Sequence, residues 1–354
     1  MRNIEFRSLF PVYPPILPNN RYCVDVYWDA YRFLSARFKL KPQLFDIHSG
    51  AEISVSRSTI SKSVKERFFK EFIFIRPGDW QIQFDVSATF PTDGLKDWQK
   101  SETLPNGFEP EELPRVWASS VPSFADNDIQ TFLFALNIAF PGSINITNNI
   151  WLYGKKRHPY SSHYRSTIQD GVDFFAGHGF FPDVTLSPST VVDAIYRQNG
   201  MLNGRSDTPL SRAVSYLTRL YVRDFRNDEL SDLAWAVAGI EALLVDAGKS
   251  SVGQLKSKIA VLFKDHDNLS WLLKSCDGMY SFRSKMIHGN RQLTSVFRQE
   301  DEHDESRQHE EYDSSRFAIG LLLLLIRRAI YLGQSKFEFE LLLKNTAINP
   351  GEDK

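Results

Sequence analysis

GMYSFRSKMIHGN, residues 278–290, closes a helical pattern that begins near Ser270. Leu272, Cys276, Met279, Tyr280 and Ile287 recur at three and four, which defines one apolar face. Gly289 stands where a left-handed cap ends a helix. Arg283 falls in step with the apolar positions, and a buried charge without a partner costs several kcal/mol or more. Two helical segments earlier, near Asp228, Leu230, Ala234, Val237, Ala238 and Val245 form another apolar stripe, and Glu241 lies on it. The two misplaced charges are complementary, so Glu241 is predicted to meet Arg283 across a helix interface. A structural ion pair is the plain reading of such a contact.

His288 makes a second reading available. Arg283 and His288 are five apart, about 140° round a regular helix, and so do not share a face. A site using both needs an unwound last turn or contributions from two chains. Cleavage of RNA by its own 2′-OH needs a general base, a general acid and a cation for the developing charge. Histidine titrates near neutrality and serves in either proton-transfer role. Arginine binds two phosphate oxygens through its planar fork and keeps its charge. A symmetric dimer supplies two such histidines, and dependence on the 2′-OH makes the reaction specific for RNA and independent of metal.

The Arg-x4-His spacing, with Tyr280 before it and Gly289 after it, resembles the signature of HEPN domains, in particular the Apea-like group, whose members are mostly bacterial. The resemblance covers roughly Ser187 to the end. It implies an α-helical bundle that dimerises and cleaves RNA without metal or cofactor in antiviral defence, toxin–antitoxin or RNA-processing systems. It implies Arg283 and His288 as the catalytic pair in a cleft shared by two subunits. Glu241, within IEALLV, matches the acidic residue that orients the arginine; Tyr280 and Ser284 take supporting places. Lys285, Asn290 and Arg291 are the implied RNA contacts. Some HEPN domains only bind RNA or nucleotides, or scaffold partners, so a catalytically silent module is the alternative.

The segments around this stretch are helical too. Ser187-Pro188 and Thr208-Pro209 each read as an N-cap followed by proline at the first helical position. Leu210, Ala213, Val214, Leu217, Leu220 and Tyr221 define a buried face, as do Val252, Leu255, Ile259 and Leu262 or Phe263. A last helix, about Tyr312 to Leu332, is apolar nearly all round over LLLLLI and belongs at the centre of a bundle. The acidic run Glu300 to Asp313, including His303 and His309, reads as a solvated loop.

The grammar before Leu186 is different. From Trp80 to Phe90, Ile82, Phe84, Val86 and Ala88 alternate with polar residues, which predicts a half-buried strand. Phe68–Ile75 is predicted as its hairpin partner across Pro77-Gly78-Asp79. Ile129–Phe140 and Ile144–Tyr153 are read as another hairpin across Pro141-Gly142, and Tyr22, Val24, Val26 and Trp28 also alternate. Pro91 to Pro122 reads as a long surface loop. The expectation is an α+β chain: residues 1–185 a mainly antiparallel β domain with a sensing or regulatory role, residues 186–354 a HEPN-like helical domain. At 354 residues two domains are the natural division.

Composition bounds the rest. Apolar residues make up 42% and charged residues 24%, with a net charge of −1, so any RNA contact must come from a local basic cluster. The run GKKRH, residues 154–158, beside Tyr153 and Tyr160 is one such cluster, able to grip phosphates and stack bases or simply to form a solvated loop. His158, His163 and His178 near Asp173 and Asp183 match no zinc spacing and are read as surface histidines. Cys23 and Cys276 make no disulfide framework. The first ten residues lack a secretory core, and Phe317–Ile326 is too short to span a bilayer. A cytoplasmic protein is expected, with RNA, a second copy of the chain and a trigger protein as partners, and no membrane. A ligand-binding β domain on a structural helical unit is a further alternative, marked by an aromatic-lined pocket in the N-terminal half.

Overall fold

A computed structural model describes residues 2–12, 38–40, 51–70, 76–90, 113–142, 149–154, 156–157, 168–181, 183–198, 206–221, 229–246, 251–290 and 305–339. The fold is α+β: an antiparallel N-terminal sheet followed by a helical C-terminal part. The strands are β1 (Arg2–Val12), β2 (Phe38–Leu40), β3 (Ala51–Thr59), β4 (Trp80–Phe90), β5 (Ile150–Tyr153) and β6 (Lys156–Arg157), in the order β2-β3-β4-β1-β5-β6. The alternation in β4 sets its orientation, because successive side chains point to opposite faces. Ile82, Phe84, Val86 and Ala88 are buried on the inner face. Gln83, Asp85 and Ser87 look the other way and are half-buried. Gly78 turns the chain into β4 at φ +97, a conformation that favours glycine.

The outer face of the sheet is partly covered by α1 (Lys62–Phe68), capped by Ser61, whose Oγ accepts from the Val64 N–H at 3.2 Å. The predicted strand from Phe68 therefore does not begin there: Phe68 ends a helix, and 71–75 lie outside the described residues. The second predicted hairpin is also corrected. Leu113–Ala139 is one long helix, α2, so Ile129–Phe140 is not a strand and 113–122 is not a loop. The apolar stretch Phe132–Leu136 at its centre has no period to choose between the two states. Here burial of Val121, Ala125, Ile129 and Leu133 carries the helix past Pro122, although proline inside a helix costs about 3 kcal/mol. Of the strand expected from Ile144 to Tyr153, Ile150–Tyr153 forms β5, and 143–148 lie outside the described residues. The pattern from Tyr22 to Trp28 lies outside the described residues.

The helical part contains α3 (Ile168–Gly177), α4 (Pro188–Val192), α5 (Pro209–Tyr221), α6 (Glu229–Leu244), α7 (Ser251–Leu262), α8 (Leu269–Ile287) and α9 (Glu305–Leu332). Ser187 caps α4 through Thr190 N–H at 3.1 Å, and Thr208 caps α5 through Ser211 N–H at 3.1 Å. The predicted face of α5 is buried in full. Residues Phe317–Ile326 of α9 are buried all round, at the centre of the bundle. The acidic run is helical from Glu305 onward rather than a loop, and His309 stands exposed on it.

One hydrophobic cluster runs from Phe84 and Trp151 of the sheet through Ile138 of α2 and Phe175 of α3 to Leu322 of α9. The core therefore has no gap at residue 186. Gly171 of α3 and Gly320 of α9 let those helices touch; a Cβ on Gly320 would lie 2.6 Å from the Gly171 carbonyl oxygen. Arg327, 2% exposed, binds Asp183 Oδ1 at 2.8 Å and donates to the Ala139 carbonyl at 3.0 Å and to those of Ile138 and Val184. It thereby satisfies the last carbonyls of α2, which have no partner within their own helix. Among the described residues no helix is long and apolar enough to cross a membrane.

Candidate functional site

The pair predicted from the helix stripes is present. Glu241 on α6 and Arg283 on α8 meet at 3.6 Å, Oε2 to NH2, and the Tyr280 hydroxyl donates to Glu241 Oε1 at 3.2 Å. Burial, reinforced by the Glu241 charge, pushes the Tyr280 phenol well above its ordinary value. It therefore stays protonated and serves as a donor. The guanidinium also lies 6.0 Å from the Tyr280 ring centre, at the outer limit of cation–π contact. One carboxylate thus ties the arginine and the tyrosine one turn apart on α8.

The burial expected for this pair is too deep. Arg283 and Glu241 side chains are 30% and 24% exposed. On α6 the buried side chains with apolar character are Leu233, Ala236, Val237, Ile240, Leu243 and Leu244, while Ala234 is exposed and Glu241 lies at the margin. On α8, Leu272, Cys276, Met279 and Tyr280 are buried as predicted, but Ile287 is 56% exposed. The last turn of α8 runs clear of its neighbours: residues 284–290 are exposed except for half-buried Met286. Burial pushes the Cys276 thiol up to about 12, which leaves it an inert core group.

His288 is the C-cap of α8, with its N–H on the Ser284 carbonyl at 3.1 Å. Gly289, at φ +67, donates to Met286 at 3.2 Å, and Asn290 donates to Lys285 at 2.9 Å. Those two bonds are the Schellman arrangement, which closes a helix without unwinding it. The unwound last turn is therefore absent, and within one chain Arg283 and His288 stay on different faces. Ser284, Lys285, His288 and Asn290 are exposed around the cap. Arg291 lies outside the described residues.

Of the histidines near residue 170, His178 is among the described residues. Among the described residues no three His, Cys, Asp or Glu side chains form a metal-sized group. His178 stacks on Trp271 at 3.7 Å and its Nδ1 lies 2.9 Å from the Phe174 carbonyl. Asp173 accepts from Gln169, and Asp183 is held by Arg327. His158, His163 and His303 lie outside the described residues. A cleft of about 450 Å³ opens on the outer face of the sheet, with Arg7 bound to Asp85 at 3.1 Å in its wall. Comparison with protein-family models, curated proteins and solved structures gives no match for this chain.

Proposed function

We propose that the chain is a metal-independent endoribonuclease of HEPN type, acting as a dimer in bacterial antiviral defence or toxin-like RNA cleavage. The observation that carries the reading is the Glu241–Arg283 pair, fixed one turn before an exposed His288 on a rigid cap. Half-exposed, the guanidinium is oriented by a carboxylate without being sealed from solvent, a state suited to receiving a phosphate. The regular last turn separates Arg283 from His288 within one chain, so the composite site takes one contribution from each of two subunits. In it the imidazoles accept the 2′-OH proton and donate to the leaving 5′-oxygen, and Arg283 neutralises the phosphorane. Lys285 and Asn290 flank the cap and, with Arg291 next in the sequence, hold the strand. The N-terminal region restrains or triggers the nuclease through a regulatory partner.

The test is cleavage of a mixed RNA pool by wild type beside His288→Ala and Arg283→Ala, in EDTA, with sedimentation run on the same samples. Activity that survives in either variant, vanishes in chelator or belongs to a monomer overturns the proposal. A silent HEPN module binding RNA or a protein partner is the second reading, favoured by the engagement of Arg283 with both Glu241 and Tyr280. RNA binding without cleavage by wild type would establish it. The ligand-binding alternative has less support, because among the described residues Phe6 is the one aromatic lining the sheet cleft.

A further inference from the structure

We infer that α1 and the β5–β6 hairpin form an RNA-binding surface on the outer face of the sheet. Residues 61–70, SKSVKERFFK, carry four cations, Lys62, Lys65, Arg67 and Lys70, against one carboxylate, Glu66. Lys62, Arg67 and Lys70 are exposed. The fold adds a cation from a distant part of the chain. Leu152 of β5 joins Ile60, Phe69, Leu9 and Ile150 in the apolar cluster beneath α1, with Val64 and Phe68 packed on it. Arg157 of β6 lies directly opposite Leu152. Residues opposite each other in an antiparallel pair share a face, so Arg157 stands on the α1 side of the sheet. In the same register Arg7 flanks Leu152 from β1.

In a chain of net charge −1, this is a local concentration of positive charge that matches a polyanion. The neighbouring cleft carries Glu5 and Asp85, so phosphates belong along α1 and β6 rather than inside it. An anionic bilayer is the other polyanion, and α1 is poorly made for it. A membrane-binding helix needs a free apolar face, whereas Phe69 is fully buried and Val64 and Phe68 pack against the sheet. The choice of RNA rests on the ribonuclease reading, but the surface is separate from the α8 cap.

The test reads fluorescence anisotropy of a short labelled single-stranded RNA with full-length His288→Ala protein, and with the same protein carrying K62Q, R67Q, K70Q and R157Q. Affinity at low salt should fall at least about tenfold, and the log–log salt dependence should flatten by about 2–3, each lost contact being worth about 0.7 on single strands. K62E with K70E, at two exposed positions, repeats the test with an unchanged melting curve as the folding control. Unchanged affinity and slope, or no RNA binding before substitution, overturns the inference. Tighter binding to phosphatidylserine vesicles than to RNA overturns it in favour of a membrane. If His288→Ala still cuts RNA while the quadruple variant loses binding, the catalytic assignment falls and the surface stands.

Discussion

Two arginine–carboxylate pairs divide the molecule between them. Arg327–Asp183 sits at the centre, each side chain 2% exposed and 2.8 Å apart, with Arg327 also donating to three backbone carbonyls. Arg283–Glu241 sits at the end of α8, 30% and 24% exposed and 3.6 Å apart, with one tyrosine in support. The first pair is sealed from solvent, with Asp183 Oδ2 left without a hydrogen bond among the described residues; it joins α9 to the end of α2 and to the segment before α4. The second is loose and wet, and it leaves guanidinium nitrogens within reach of an incoming anion. Burial decides the use: a sealed charge can only hold the fold together, whereas a half-sealed one can also meet a ligand.

The sharpest way to break this contrast is catalytic. Arg283→Ala and His288→Ala should each lower RNA cleavage at least about a hundredfold, within the range for a lost acid–base or charge-stabilising group, while urea midpoints stay near wild type. Arg327→Ala should do the reverse. It strands Asp183 and three carbonyls, so equilibrium unfolding should show a loss of about 3–5 kcal/mol. A loss below about 1 kcal/mol would mean the central clamp is not formed. Gly320→Ala drives a methyl group into Gly171 and Phe175 and should cost about 1–3 kcal/mol by the same measurement.

Smaller effects sharpen the wet side. Glu241→Gln should cost about 1 kcal/mol or less, since solvent screens a pair exposed this far, yet slow cleavage through a misdirected Arg283. A large stability loss with full activity would assign the pair to structure alone. Asp246 is held down to about 2 by its hydrogen bonds to Lys336 and Lys258 and by their charge. A depressed carboxylate contributes stability above its ordinary value and loses it as pH falls. The wild-type advantage over Asp246→Asn in thermal melts should therefore hold above about pH 4 and fade toward pH 2.

Much of the fold was legible wherever local rules were strong. The alternation of Trp80–Phe90 gave β4 its residues and its inner face, and the Ser187-Pro188 and Thr208-Pro209 caps opened α4 and α5. The pairing of Glu241 with Arg283 was legible even though the α6 stripe was read too far round, because two unmatched charges on neighbouring helices have few other ways to be satisfied. The run Ile129–Phe140 was not legible, since the apolar stretch Phe132–Leu136 at its centre carries neither the period of two nor that of 3.6. The basic surface of α1 and β6 was half legible: GKKRH could be seen, its neighbour across about 90 residues of chain could not.

By itself, then, the sequence determined periodicity and caps, which act between residues a few positions apart, and the complementary charge of two residues each unmatched on its own helix. Only tertiary structure decided how deep each charge lies. Arg327 reads as the polar end of an apolar helix until α2 brings its last carbonyls and residue 183 its carboxylate, and Arg283 reads as buried until α8 is seen to outrun its neighbours. Exposure depends on what the rest of the chain places alongside, and no local pattern encodes that.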